Sequence, residues 1–178
     1  MRKVVAYELL SLDGVAEGPD DFITEFDDVM EENLGRVIAT QDAVLLGRRT
    51  YDAWVHFWPE RHDGLFTPFI NNVRKFVATS VPLDPPWNNA SAVNGSLAAF
   101  ITELKSRPGG DIGVHGSIDV TQSLLQQGLI DELRLVIAPA VKVHGRKLFD
   151  KGLERRLVLT RSLISPSGYL LVDYALTP

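Results

Sequence analysis

Asp111-Ile-Gly-Val-His-Gly-Ser117 opens the stretch that decides the fold, and Gly128-Leu-Ile-Asp-Glu-Leu-Arg-Leu-Val-Ile-Ala-Pro139 closes it. Ile112 and Val114 are typical of the end of a buried strand, and the run 133–138 predicts a second strand. The segment between them has apolar residues at helical spacing: Val120, Leu124 and Leu125. The stretch therefore predicts a strand, a helix and a strand, which is the unit of a parallel sheet.

The turn from this strand into the helix has the composition of an anion site. Ser117 is predicted to cap the helix, with Asp119 in its first turn. Unpaired N–H groups at a helix N-terminus attract anions, and Gly116 would let a phosphate approach the backbone. The alternative is that Gly116 and Ser117 form only a tight strand-to-helix turn.

Composition limits the class of protein. The 178 residues suit one domain, and we expect a single domain over residues 1–178. A net charge of −5 argues against nucleic acid or an anionic membrane as partner, because both favour basic surfaces. The absence of cysteine excludes disulfides, zinc–thiolate sites and a cysteine nucleophile, and we predict no metal site. The chain has no signal-peptide pattern and no apolar run near the ~20 residues of a membrane span, so we expect a cytoplasmic protein.

Strands and helices alternate along most of the chain, and a hairpin ends it. Further strands are predicted at 3–12, 43–46, 75–79 and 90–93, and helices at 24–40, from 48 to the break at Pro59, and at 96–106. Thr24 is a possible cap of the first helix. The strands 156–163 and 169–176 flank a turn at 165–168. The pattern predicts a three-layer α/β sandwich with a mostly parallel sheet and an antiparallel C-terminal hairpin at its edge.

A second glycine turn, Gly47-Arg48-Arg49-Thr50, also follows a predicted strand. The carboxyl ends of parallel strands line one crevice of an open α/β sheet, where ligands bind. Two phosphate-favouring turns at this edge suit a dinucleotide with a 2′-phosphate, because the guanidinium of arginine holds phosphate bidentately. The alternative for Arg48 and Arg49 is a solvated pair or an ion pair with the acidic first helix.

Five motifs in order resemble the dihydrofolate-reductase-like family. They are Ser11-Leu-Asp-Gly14, Gly47-Arg-Arg-Thr-Tyr51, Gly113-Val-His-Gly-Ser117, Gly128-Leu-Ile-Asp-Glu-Leu133 and Leu148-Phe-Asp150. The match is to the branch with the C-terminal reductase domain of the bifunctional riboflavin-biosynthesis deaminase-reductase, a 5-amino-6-(5-phosphoribosylamino)uracil reductase. The resemblance implies an NADPH-dependent reductase fold and a homodimer.

The resemblance also implies positions for the cofactor. Arg48 would hold the 2′-phosphate of NADPH, with Arg49 and Thr50 at the pyrophosphate. Further residues implied along the cofactor, from the adenosine to the nicotinamide, are Thr79, Ser80, Gly47, Gly116, Ser117, Ile118, Ala6 and Gly14.

Catalytic residues are less defined by the sequence. Glu31 and Asp13 are candidate proton-relay carboxylates, the alternatives being an exposed helix acid and a turn former. His115 is predicted to be a packed residue at a strand end. The acidic first helix would repel the ribityl phosphate of the riboflavin pathway, so the substrate is left open as a small heterocyclic or carbonyl-like compound. The alternatives are a non-enzymatic binder of nucleotides or small aromatics, with a pocket lined by Trp54, Phe57 and Trp58, and a structural dimer without ligand.

Overall fold

The computed structural model describes residues 1–151 and 154–176, and within them eight strands form one sheet with five α-helices. The strands are β1 Val4–Leu10, β2 Gln41–Gly47, β3 Arg74–Ala78, β4 Ala90–Val93, β5 Asp111–His115, β6 Glu132–Ile137, β7 Val158–Ile164 and β8 Leu170–Ala175. The helices are α1 Asp28–Ile38, α2 Arg48–Phe57, α3 Phe66–Asn72, α4 Leu97–Ser106 and α5 Ile118–Gln126, with a 3₁₀ turn at Pro19–Asp21. In the described part of the chain, none of the helices is long and apolar enough to span a membrane.

The strand order is β4-β3-β2-β5-β1-β6-β8-β7. Every pair from β4 to β6 is parallel, whereas β8 pairs antiparallel with both β6 and β7. The predicted α/β sandwich with an antiparallel C-terminal hairpin is therefore confirmed. β6 lies inside the sheet and β7 forms the edge.

Alternation along the strands separates the core into two layers. On β2, Leu45 packs with α4 and α5 on one face, whereas Val44 and Leu46 pack with α2 and α3 on the other. On β1, Tyr7 faces α1 and Ala6 faces the α4–α5 layer. The helices thus cover both faces, as expected for strands that read as almost continuously apolar.

The sheet has its topological switch point around β5, which lies between β1 and β2. The chain leaves β2 towards the α2–α3 face and leaves β5 towards the α4–α5 face. Connections that diverge to opposite faces open a crevice at the carboxyl ends of the strands. The two glycine turns predicted from the sequence both lie at this crevice.

One local prediction was wrong, and one helix was not predicted. α1 begins at Asp28 and not after Thr24, because Asp27 is the cap: its Oδ1 accepts a hydrogen bond from the Met30 N–H at 3.0 Å. The Asp27 Oδ2 also accepts from Ser167 N at 3.1 Å, so this carboxylate joins α1 to the C-terminal hairpin. Helix α3 forms within residues 56–72, where the sequence pattern is a mixture of loop and helix and predicts no defined element.

Candidate functional site

A serine joins the two glycine turns. The Ser117 Oγ accepts a hydrogen bond from Gly47 N at 2.9 Å and donates to Thr50 Oγ1, also at 2.9 Å. Ser117 is the N-cap residue of α5, as predicted, but no N–H of the helix bonds to its Oγ. The hydroxyl instead fixes the start of α2 against the start of α5.

The two turns favour glycine for different reasons. A Cβ at Gly47 would lie 3.3 Å from Val120 Cγ2, so the Val120 side chain would have to shift by a few tenths of an ångström to accept it. Gly116 has φ +61°, a left-handed conformation that disfavours residues with a Cβ, and it is exposed. The backbone of Gly116 is therefore open to a ligand.

A cleft of about 390 Å³ lies beside the joined turns. Seven residues predicted for cofactor binding line it: Gly47, Arg48, Arg49, Thr50, Gly116, Ser117 and Ile118. Thr79 and Ser80 follow the end of β3 but do not line the cleft, and Ala78 and Leu97 do. Ala6 is fully buried and Gly14 lies in the loop after β1.

Arg48 is held in position at the mouth of the cleft. Its Nε donates to Asp52 Oδ1 at 2.7 Å, one helical turn further along α2, and its Nη1 donates to the Pro82 carbonyl at 2.8 Å. The ion pair considered from the sequence therefore exists, but with Asp52 and not with α1. Arg49 is exposed beside it. Two guanidiniums at one end of the cleft favour a phosphate-bearing ligand.

Sequence reasoning missed Arg146 as a residue of the cleft. Its Nε donates to Glu17 Oε1 and its Nη1 to Asp119 Oδ2, both at 2.9 Å. Hydrogen bonds from Arg146, with a further contribution from Arg49, lower the pKa of the Glu17 carboxyl. A single arginine in a loop distant along the chain carries no sequence signal for this placement.

Asp13 holds two loops together. It accepts hydrogen bonds from Ser11 Oγ at 2.7 Å and from the backbone N–H groups of Lys142 and Val143 at 3.0 Å each. The Ser11 hydroxyl first, and then these N–H groups, lower its pKa to about 2. Asp13 is thus an acceptor that positions the loop after β1, in keeping with the turn-former alternative, and at neutral pH it has no proton to donate.

Glu31 is exposed on the first turn of α1 and does not line the cleft. The geometry brings neither Glu31 nor Asp13 to the glycine turns, so the structure gives no contact by which either would act on a ligand bound there.

On the other face, His115 ends β5 among aromatic rings. The ring centroids of Phe66, Phe69 and Tyr7 lie 5.3, 6.0 and 5.7 Å from that of His115. The His115 Nε2 lies 2.8 Å from Gln41 Oε1. The Gln41 side chain passes over Gly113, where any side chain would collide with the Gln41 amide group. Burial lowers the pKa of His115 to about 3, so the ring is neutral, as its predicted packed role implies.

The face of the sheet on which the His115 ring packs, here called the aromatic side, contains buried polar atoms without hydrogen-bond partners. Within the described residues, Tyr7 Oη, Gln41 Nε2 and Trp58 Nε1 are buried without a hydrogen-bond partner. Buried polar atoms without partners are rare in native structures and call for an explanation such as a bound ligand or water. Trp54 joins this side to the cleft, because its Cζ2 would lie 3.7 Å from a Cβ at Gly116.

Glu8 is a second buried group that the sequence did not single out. It is 1% exposed on β1 and accepts a hydrogen bond from Thr121 Oγ1 of α5 at 2.8 Å. Burial raises its pKa to about 8. Glu8 therefore carries a proton at neutral pH, and it fixes β1 to the helix that begins at the Gly116 turn.

The sheet topology and the cleft at its switch point define a dihydrofolate-reductase-like α/β protein. The chain belongs to the RibD C-terminal domain family, whose sequence profile matches residues 2–171. Among relatives, the protein YyaP of Bacillus subtilis (strain 168) is 27% identical over 175 residues, which cover 92% of this chain and 90% of YyaP.

Solved structures share this fold. A pyrimidine reductase-like protein from Corynebacterium diphtheriae superposes with a TM-score of 0.72 at 19% identity, covering 99% of this chain and 92% of that one. A diaminohydroxyphosphoribosylaminopyrimidine deaminase/5-amino-6-(5-phosphoribosylamino)uracil reductase from Thermotoga maritima gives a TM-score of 0.68 at 15% identity. It covers 99% of this chain but 57% of the bifunctional chain. The resemblance drawn from the five motifs is confirmed.

Proposed function

We propose that the protein is an NADPH-dependent reductase of a small heterocyclic or carbonyl-like substrate. The observation that carries the proposal is the cleft where two glycine turns, joined through Ser117, meet the guanidiniums of Arg48 and Arg49. Membership of the RibD C-terminal domain family and the reductase names of the structural neighbours support an oxidoreductase.

The residues of the cleft fit NADPH. Arg48, preset by Asp52 and the Pro82 carbonyl, would pair with the 2′-phosphate. Gly116 offers an open backbone at the start of α5, where N–H groups attract the pyrophosphate. The cofactor would supply the hydride, while the protein binds and orients it. The buried, unsatisfied polar atoms near His115 would then face the substrate.

The experiment is a pair of titrations, in which NADPH should bind more tightly than NADH. Arg48→Ala should cost on the order of 1.5–3 kcal/mol of NADPH affinity, as expected for a charged hydrogen bond, and leave NADH almost unchanged. Arg61→Ala is the matched control, because Arg61 pairs with Asp63 outside the cleft. Equal affinities for the two dinucleotides would contradict the role of Arg48.

A non-enzymatic binder of small aromatic compounds is the alternative, and the unsatisfied atoms on the aromatic side favour it. The two functions separate in an NADPH-oxidation assay across a panel of heterocyclic and carbonyl compounds. Turnover of any compound supports the reductase, whereas tight binding without NADPH oxidation supports the binder.

We also propose a homodimer that uses the edge strand β7. Its side chains Val158, Leu159 and Ile164 are 50%, 52% and 69% exposed. An apolar edge strand with free N–H and C=O groups favours pairing with another strand. Sedimentation at micromolar concentration should show a dimer, and Ile164→Lys should shift it towards the 19.7 kDa monomer. A wild-type monomer would contradict this assembly.

A further inference from the structure

Arg146 lines the cleft from the loop after β6. The loop after β1 and the loop after β6 pair at Val15 and Lys147. Ala16 N donates to the Arg146 carbonyl at 2.9 Å. The backbone N–H of Arg146 bonds to Glu17 Oε2 at 3.1 Å, while its Nε bonds to Glu17 Oε1. Backbone and side chain are thus both fixed, and the guanidinium extends towards α5.

The first turn of α5 carries a carboxylate that an anionic ligand would meet. Asp119 lines the cleft two residues after Ser117. A carboxylate there opposes a phosphate group at the Gly116 turn, because like charges repel at short range. Arg146 pairs with Asp119 through the 2.9 Å contact between Nη1 and Oδ2 and offsets part of its charge, since Glu17 pairs with the same guanidinium. A guanidinium has five N–H donors, and these contacts use Nε and Nη1.

We propose that Arg146 is a third phosphate-binding arginine of the cleft. It weakens the repulsion from Asp119 and presents its remaining N–H donors to the pyrophosphate. This inference rests on the proposed function, since it assumes a dinucleotide in the cleft. Glu17 and Asp119 hold the guanidinium in place before the ligand arrives, so little side-chain ordering remains to be done on binding.

NADPH titrations by fluorescence test this role. Arg146→Met should weaken NADPH at least about tenfold, the loss expected for one charge-assisted hydrogen bond. Adding Asp119→Asn to that variant should recover only part of the loss, because the uncompensated carboxylate is gone but the N–H donors to the pyrophosphate are still missing. Arg146→Lys should lie between wild type and Arg146→Met. Thermal unfolding confirms that each variant is folded.

Lys142→Met is the matched control. Lys142 ties the same two loops, with Nζ donating to the Glu17 carbonyl at 2.7 Å and to Asp21 Oδ2 at 2.7 Å, but it does not line the cleft. Its NADPH affinity should stay at the wild-type value. An equal loss in Lys142→Met and Arg146→Met would assign the effect to loop tethering and overturn the proposal. Full recovery of affinity on adding Asp119→Asn would reduce Arg146 to a charge-compensating residue and would also overturn it.

These titrations distinguish a failure of the Arg146 role from a failure of the proposed function. If wild-type protein binds no NADPH, the proposed function fails and the role of Arg146 fails with it. If wild-type protein binds NADPH and folded Arg146→Met binds it equally well, the role of Arg146 fails alone.

Discussion

The carboxyl end of β5 lies between two different environments, one on each face of the sheet. On the α4–α5 side, the chain makes an open cleft from backbone turns and arginines. On the α1–α3 side, His115 lies closed in among the rings of Tyr7, Phe66 and Phe69. One residue step along β5, from His115 to Gly116, separates the buried side from the exposed one.

This difference predicts that mutations on the two sides have different effects. A polar cleft with glycine turns suits the phosphates of a dinucleotide. The closed aromatic cluster packs around the neutral ring of His115. If the sides are independent, changes at the cleft should alter cofactor affinity, and changes at His115 should alter stability first.

The largest expected effect is at Gly116. A valine there would occupy the space that the proposed pyrophosphate needs, and it forces a branched side chain into a left-handed conformation. Gly116→Val should therefore abolish NADPH binding in protein that remains folded by circular dichroism. The backbone strain itself should cost about 1–2 kcal/mol of stability.

Gly128 provides the control, because it lies at the other end of α5 with a similar φ of +66° and is also exposed. Gly128→Val should have a comparable stability cost with normal NADPH binding. Normal NADPH binding by folded Gly116→Val would move the ligand away from the cleft.

The next effect concerns the aromatic side. His115→Leu replaces the imidazole ring with an apolar side chain of similar size and leaves Gln41 Oε1 buried without its partner. The free energy of unfolding should fall by about 1–3 kcal/mol, the cost of an unsatisfied buried acceptor. NADPH affinity of the folded protein should change by less than about threefold, because His115 does not line the cleft. A loss of affinity as large as that of Gly116→Val would show that the two sides form one site.

The contrast also explains what the sequence could predict. Gly47 and Gly116 were identified because a strand, a glycine and a helix start lie consecutively in the chain, and the fold followed from the same alternation. The contact between Ser117 Oγ and Gly47 N could not be predicted, because it joins residues 70 positions apart. Arg146 and Gln41 were missed for the same reason, since their roles depend on which loops and strands become neighbours.

β1 extends the comparison into the sheet itself, because Tyr7 and Glu8 are consecutive and face opposite sides. Glu8 faces α5, buried beside Thr121, with a pKa raised by burial from 4.5 to about 8. Between these values the native state keeps a proton that the unfolded state has released. Stability therefore falls as pH rises from about 4.5 to about 8, by up to about 1.4 kcal/mol per pH unit for this one proton. Glu8→Gln keeps the acceptor for Thr121 without titrating, so denaturant titrations at pH 5, 6 and 7 should give a stability difference, variant minus wild type, that grows with pH. A stability difference independent of pH would mean that Glu8 is ionised in the folded protein. The surroundings of Glu8 between β1 and α5 would then be more polar than its burial indicates.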